Sequence, residues 1–176
     1  MTNDLLQLAS NDPQLAQALA DAVRAVQAAE GSILLLDAGG QTLRFAVCCS
    51  PAADRLLGTQ QPVSRGVVGL VVSFQQPTIT NKLQDDPQHD PAIDSKTGTT
   101  TTSQMAIPLS DPTREFGVLT AINSKRPDGL SDDDLQRYLD AANTITLRLA
   151  QLNAQVPENT SGGTSGGTSG GGGDDD

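Results

Sequence analysis

Two apolar segments joined by a short polar turn, within residues 103–125, constrain the fold more than any other part of the chain. In the first segment Met105, Ile107 and Leu109 occupy alternate positions, as in a strand with one buried face. The turn at residues 110–113 reads Ser-Asp-Pro-Thr. Asp bonds to its own backbone there and Pro presets φ, so the chain is expected to reverse.

The second segment of this hairpin is apolar on both faces for most of its length. One face is predicted to carry Phe116, Val118, Thr120 and Ile122, and the other Leu119 and Ala121. A strand of this kind is typical of the middle of a sheet rather than its edge. We therefore expect the rest of the chain to be built around this hairpin.

Before the hairpin, the pattern predicts one short helical turn at residues 3–9 and a helix over 13–30. That helix begins at Asn11-Asp12-Pro13, presents a stripe of Leu and Val at helical spacing, and is expected to stop at Gly31. A second hairpin follows, with strands over 32–37 and 42–48 and the turn Ala-Gly-Gly at 38–40. We expect the side chains of Leu43, Phe45 and Val47 to share one face of it.

The middle of the chain is less regular. A short helix is predicted at 51–57, a connecting loop at 58–63 and a brief strand at 78–80, whereas residues 67–74 fit either a strand or a short buried helix. Residues 81–102 are polar, contain the only histidine of the chain (His89) and are interrupted by prolines. A segment of this length without apolar periodicity is usually functional or disordered.

After the hairpin, Ser131 is a strong N-cap candidate for a last helix that runs to about residue 154. Asp132, Asp133 and Asp134 lie in its first turn, where the helix dipole favours negative charge. We divide the chain into an N-terminal extension at 1–12, one domain at 13–154 and a Gly-, Ser- and Thr-rich acidic tail at 155–176 that we expect to be disordered. The order of elements predicts an α+β domain, with helices on one face of an antiparallel sheet and loops on the other.

Charge and cysteine content narrow the class of protein. The formal net charge of −10 makes nucleic acid and anionic membranes poor partners. No segment reads as a signal peptide or a transmembrane helix, so we expect a cytoplasmic protein.

The only cysteines are Cys48 and Cys49, which point to opposite faces of a strand and make a poor structural disulfide. We expect no cofactor and no metal site.

Six segments resemble, in order, the GAF domain, a small-molecule sensor module of many signalling proteins. They are residues 29–37 (AEGSILLLD), 62–69 (PVSRGVVG), 77–80 (PTIT), 93–98 (IDSKTG), 106–109 (AIPL) and 116–123 (FGVLTAIN). The resemblance spans about residues 13–152 and implies a helix at 67–74. Among the subtypes of this family, the sequence pattern most resembles the cyclic-nucleotide-binding GAF domains of phosphodiesterases and of some cyanobacterial cyclases.

The resemblance also implies a ligand site. Asp94, Thr97 and Thr101 fall where that subfamily lines its nucleotide pocket, Val67 and Val68 fall at a helix start that meets the phosphate or the base, and Ser32 matches a pocket serine. Each assignment has a structural alternative. Asp94, Thr97 and Thr101 fit equally well as polar groups that cap local backbone, and the two valines fit as core residues.

Two other residue groups are better explained without function. Cys48-Cys49 suggests a redox pair or a bilin attachment site, but no neighbouring His or Asp lowers a thiol pKa, so a buried hydrophobe beside an incidental thiol is favoured. His89 with Asp85, Asp86 and Asp90 suggests a metal, but a solvated loop explains the pattern better.

The sequence supports three alternative hypotheses for the function. The first is a non-catalytic sensor of a nucleotide or metabolite, forming a homodimer through its terminal helices and read by a signalling protein partner. The second is a ligand-free dimerisation scaffold, and the third a cysteine-dependent redox enzyme on the same fold.

Overall fold

A computed structural model describes residues 2–157, with the side chains of residues 2 and 3 excepted; residues 158–176, most of the predicted tail, lie outside the described part. Six antiparallel strands form one sheet in the order β3-β2-β1-β6-β5-β4. The strands are β1 (Ala28–Leu36), β2 (Thr42–Cys49), β3 (Gln60–Pro62), β4 (Thr78–Thr80), β5 (Gln104–Ser110) and β6 (Glu115–Ser124). The helices are α1 (Thr2–Ser10), α2 (Pro13–Ala25), α3 (Ala53–Leu56), α4 (Gly66–Phe74), α5 (Ala92–Thr97) and α6 (Asp132–Asn153), with a 3₁₀ turn at Leu83–Asp85.

The hairpin of β5 and β6 occupies the predicted place in the sheet. β6 pairs with β1 on one side and with β5 on the other, which confirms the prediction that the doubly apolar strand is central. We call the side of the sheet covered by α1, α2 and α6 the helix face and the opposite side the ligand face. The α+β class with this arrangement was predicted correctly.

The helix face carries the main core. Its 24 buried apolar residues come from α1, α2, α6 and alternate positions of the strands, including Leu19, Leu119, Ile145 and Leu149. Within the region assigned to an N-terminal extension, α1 places Leu5 and Ala9 in this core. The smaller cluster on the ligand face has nine buried residues, among them Leu34, Val68 and Val118.

The predicted end of the first long helix was wrong. α2 ends at Ala25, Gln27 has a φ of 52°, and residues 28–31 pair with β6 instead of extending the helix. Gly31 is therefore a strand residue rather than a helix stop. A Cβ there would overlap the side chain of Val23 and lie 2.8 Å from the carbonyl oxygen of Thr120, so glycine lets α2 and α6 approach the sheet closely.

Two β-bulges overturn two of the predicted strand faces. On β2, Ile33 pairs with Val47 and Leu34 with Phe45, so Ala46 is the extra residue and Val47 turns to the helix face, away from Leu43 and Phe45. On β6 the extra residue is Phe116, which packs in the helix-face core while Val118 packs on the ligand face. Each bulge shifts the two-residue period by one position.

The short predicted elements differ in detail. The expected helical turn at 3–9 is a complete helix, α1, and the expected loop at 58–63 contains β3. Residues 67–74 are helical, as the resemblance implied. No helix within residues 2–157 is both long enough and apolar enough to cross a membrane.

Candidate functional site

A cavity lies on the ligand face between the sheet, the start of α4 and the segment 81–102, which we call the lid. The space open to the centres of water molecules is ≈ 80 Å³, and all the space free of atoms, including the mouth, is ≈ 710 Å³. One water needs about 10–15 Å³ by the first measure, so the cavity holds on the order of six waters.

All six residues that the sequence proposed for a ligand site line this cavity. Ser32 lies on β1, Val67 and Val68 open α4, and the other three, Asp94, Thr97 and Thr101, belong to the lid. Val67 and Val68 are also buried, and Val68 is part of the ligand-face core, so the two valines are both core and lining. Their role in binding remains a prediction.

The carboxylate of Asp94 is already hydrogen-bonded within the lid. Its carboxylate accepts hydrogen bonds from the backbone N–H of Thr101 at 2.9 Å and from the hydroxyl of Thr101 at 2.6 Å. The hydroxyl of Thr97 donates to the carbonyl of Ile93 at 3.2 Å within α5. These side chains therefore fold the lid over the cavity, and only their remaining acceptor capacity is open to a ligand.

The lid is held to the domain at both of its ends. The side chain of Asn81 accepts from the N–H of Leu130 at 2.8 Å and donates to the carbonyl of Leu130 at 2.9 Å, one residue before the N-cap of α6. At the other end, the N–H of Thr102 donates to the side chain of Asn123 at 2.8 Å. Leu83, which is 1% exposed, is the apolar anchor between them.

The start of α4 faces the cavity without a side-chain cap. Arg65 is the N-cap residue and supplies no side-chain hydrogen bond to the helix. Gly66, with a φ of +74°, turns the chain into the helix, and a Cβ there would lie 2.9 Å from Nε2 of Gln61. The first N–H groups of the helix are thus free to bind a polar group in the cavity.

The floor of the cavity is connected to α6 through the sheet. The hydroxyl of Tyr138, a fully buried residue of α6, donates to the carbonyl of Thr120 at 2.7 Å. Thr120 lines the cavity from β6. Burial raises the pKa of Tyr138, so this hydroxyl stays protonated and remains a donor.

The sequence missed several lining residues. His89 and Asp90 were assigned to a solvated loop, and this was wrong for both: they line the cavity, and the His89 side chain is only 13% exposed. Nε2 of His89 is buried without a hydrogen-bond partner and lies 3.7 Å from Oδ2 of Asp94. Glu30 also lines the cavity, because residues 28–31 are strand rather than helix. Of these missed lining residues, only His89 could have been suspected from the sequence, because it is the single histidine of the chain.

The cysteines lie on opposite faces of β2, as predicted. Cys48 packs against the ligand-face cluster and Cys49 against the helix-face core. Burial raises the pKa of Cys48 to about 11, which keeps it as a neutral thiol near pH 7. Within residues 2–157, no group of three or more His, Cys, Asp or Glu side chains is placed to hold a metal ion.

Comparison with known proteins gives a family but no individual relative. A family model described as GAF domain matches residues 9–147. No curated protein sequence matches the chain.

Several solved structures share the fold. The GAF domain of an Acinetobacter phosphoenolpyruvate-protein phosphotransferase is 18% identical, with a TM-score of 0.66, covering 86% of this chain and 92% of that one. A segment of a methyl-accepting chemotaxis protein (residues 122 to 287 in that protein) is 15% identical, with a TM-score of 0.71 and coverage of 85% and 94%.

A third similar structure is an enzyme. The free methionine-R-sulfoxide reductase of Neisseria meningitidis, solved with its substrate, is 19% identical, with a TM-score of 0.66 and coverage of 86% and 87%. These identities support a common fold and not a common ligand. The match of the family model over most of the chain does more: this protein belongs to the GAF domain family.

Proposed function

We propose that this chain is a regulatory sensor module that binds a small molecule under the lid and passes the ligand state to a protein partner through its terminal helices. The observation that carries the proposal is the cavity, whose lining brings together β1, β6, the uncapped start of α4 and a lid of ordered polar residues. Concave sites with an apolar lining and a few convergent polar groups are the usual form of small-molecule sites.

Two contacts support transmission to α6. The lid reaches the residue before the α6 N-cap through Asn81 and Leu130, and the floor reaches the middle of the first half of α6 through Thr120 and Tyr138. A ligand that shifts either the lid or β6 therefore acts on the same helix. A change of this kind requires the ligand to bind one arrangement better than the other.

A cyclic nucleotide is the ligand class that the sequence resemblance implies. The free N–H groups at the start of α4 suit a phosphate, and the hydroxyl and amide groups of Thr99 and Gln104 suit a base. Among the described lining residues, however, none is Lys or Arg, so a phosphate would rely on the helix N–H groups alone.

A thermal-stability panel tests the sensor proposal. The panel contains cyclic mono- and dinucleotides together with amines, amino acids and other small metabolites, and a ligand at 100 times its dissociation constant adds about 2.7 kcal/mol to the free energy of unfolding. Thr99→Trp fills the cavity at a half-buried lining position, and Thr100→Trp places the same side chain on the exposed neighbour. We expect stabilisation that is lost in Thr99→Trp and kept in Thr100→Trp. Equal stabilisation of both variants would place the binding outside this cavity.

The proposal that the protein forms a homodimer through its terminal helices has its own support. Leu147 on α6 is 68% exposed, and a shallow groove between α2 and α6 is lined by small residues that include Ala18, Ala22 and Ala141. Small side chains allow close approach of a second helix. Sedimentation of the parent and of Leu147→Glu tests it: a dimer that becomes a monomer is expected, and a monomeric parent would reject it.

The non-catalytic form of the proposal is supported by the state of one of the two thiols. A cysteine enzyme requires a reactive thiolate, whereas Cys48 is half-buried and burial raises its pKa to about 11. Alkylation of both thiols is expected to leave ligand binding intact. A catalytic turnover that disappears on alkylation would favour the redox-enzyme alternative.

A further inference from the structure

The charges around the cavity are of one sign. Its described lining holds three carboxylates, Glu30, Asp90 and Asp94, and one imidazole, His89, with no Lys or Arg. The formal charge of the lining is therefore −3 with a neutral histidine and −2 with a protonated one. Arg55 touches the lid, donating to the carbonyl of Thr97 at 3.1 Å, but it is exposed and does not line the cavity.

The attraction of the α4 start for anions is weakened by a neighbour. The position of a Cβ on Gly66 would lie 3.5 Å from Cβ of Asp90, so the side chain of Asp90 begins beside the first residue of α4. One oxygen of that carboxylate accepts from the N–H of Ala92 at 3.0 Å. The partial positive charge of the helix start is thus already opposed by a full negative charge.

Two of the three carboxylates retain capacity for a ligand. Asp94 is committed to Thr101, whereas Asp90 has an oxygen without a hydrogen bond among the described residues, and Glu30 has neither a hydrogen bond nor an ion pair from its side chain among them. Both are half-buried. Half-buried carboxylates without a cation attract one more strongly than fully exposed carboxylates do, since they are less screened by water.

Nε2 of His89 adds a second, independent observation. The atom is buried at the cavity and has no hydrogen-bond partner, although a buried polar atom of this kind normally has one. Its distance of 3.7 Å from Oδ2 of Asp94 is too long for a hydrogen bond. A polar group of a bound molecule would supply the missing hydrogen-bond partner of Nε2.

From these features we propose that the cavity selects a small ligand with a cationic amino group, which Glu30 and Asp90 hold. This inference rests on the proposed small-molecule function. The same charges discriminate against anions, including cyclic nucleotides. The volume of the cavity suits a molecule of few non-hydrogen atoms. The ammonium group would donate to the carboxylates, and an adjacent polar atom of the ligand would meet Nε2 of His89.

The test uses the full chain and four probes: n-butylammonium, 1-butanol and butyrate, which share one carbon skeleton and differ in charge, and cyclic AMP as a larger anion. Binding is followed by NMR titration of the backbone amides of Val67, His89 and Thr101. We expect n-butylammonium to bind about tenfold more tightly than butyrate, with 1-butanol between them.

Matched variants separate the cavity from the general negative charge of the protein. Glu30→Gln and Asp90→Asn each remove one lining charge, while Asp140→Asn removes the same charge from an exposed position on α6. Each cavity variant is expected to reduce the preference for n-butylammonium over 1-butanol about twofold, and Asp140→Asn to leave it unchanged.

Three results would overturn the proposal. If butyrate or cyclic AMP binds these amides more tightly than n-butylammonium, or if Asp140→Asn matches the cavity variants, the charge preference fails while the sensor site stands. If none of the four probes gives a saturable shift at the three amides, both the preference and the small-molecule site fail.

Discussion

The helix face and the ligand face of the same sheet are built in different ways. The helix face buries 24 apolar residues between the sheet and the three helices α1, α2 and α6. Tyr138 and Arg148 make side-chain hydrogen bonds on this face. The ligand face buries nine and leaves a cavity beside them, covered by a lid whose hydrogen bonds are mainly internal. The difference indicates that stability is concentrated on one face and adaptability on the other.

The sharpest way to test this division is to make the same substitution on both faces. Leu34 and Leu35 are adjacent on β1 and both buried, Leu34 on the ligand face and Leu35 on the helix face. We expect Leu35→Ala to lower the free energy of unfolding by about 4 kcal/mol and Leu34→Ala by about 2 kcal/mol, because Leu34 already borders a cavity. Urea unfolding measures both, and a larger loss for Leu34→Ala would reject the division.

The assignment of residues to these faces shows what the sequence could and could not predict. Alternation placed Met105, Ile107 and Leu109 correctly, because β5 is regular up to its last residue. It failed at Val47 and Phe116, since each lies at or after a bulge whose extra residue has no separate signature in the sequence. Faces are therefore predictable only between irregularities.

A second test concerns Tyr138, whose side chain joins the two faces. Tyr138→Phe keeps the ring in the helix-face core and removes only the hydroxyl that donates to the carbonyl of Thr120 at 2.7 Å. We expect a loss of about 1–2 kcal/mol in the free energy of unfolding, because a buried acceptor loses a partner. Urea unfolding of the variant gives this value.

The same variant tests transmission. If ligand state reaches α6 through this bond, a ligand found in the panel will perturb the NMR shifts of α6 less in Tyr138→Phe than in the parent, at equal occupancy of the cavity. Unchanged perturbation of α6 would assign transmission to the contact between Asn81 and Leu130 instead.

The candidate site divides in a similar way between what was and was not predictable. Lining residues such as Asp94 and Thr101 could be inferred because motifs resembling a known family carry them. Glu30 could not, since a helix was expected to continue through it, and the reason it does not is the pairing of Ala28–Leu36 with β6, a contact distant in sequence. His89 was polar and flanked by carboxylates, which is equally typical of solvated loops.

One ion pair on the helix face can be tested by acidification. The hydrogen bonds that Arg148 donates to Asp12, at 2.9 and 2.7 Å, lower the pKa of that carboxyl below its ordinary value. A carboxyl with a lowered pKa in the folded state stabilises at neutral pH, and the contribution is lost as the pH falls below about 4 and through the folded pKa.

Asp12→Asn keeps the N-cap of α2 but removes this charge. We therefore expect its free energy of unfolding to fall less steeply with acid than that of the parent, a smaller effect than the two above because Arg148 is partly exposed. The check is urea unfolding of both proteins at several pH values between about 2 and 6. Parallel curves would mean that the ion pair adds nothing.

The smallest global effect is expected on the ligand face, at Asp94. Asp94→Asn leaves one acceptor oxygen for Thr101 and removes the charge, so the lid should open more often while the domain stays folded. We expect amide exchange at Thr101 to accelerate about tenfold, with a change of less than about 1 kcal/mol in the free energy of unfolding. Asp86→Asn is the control, because Asp86 caps only the N–H of Gln88 in the same lid and does not line the cavity.

Since Asn81 and Thr102 fasten both ends of the lid independently of Asp94, the opening of the lid should remain local. A global loss as large as that of Leu34→Ala would show instead that the lid folds as one unit with the ligand-face core, and that a ligand gripping the lid acts on the stability of the whole domain.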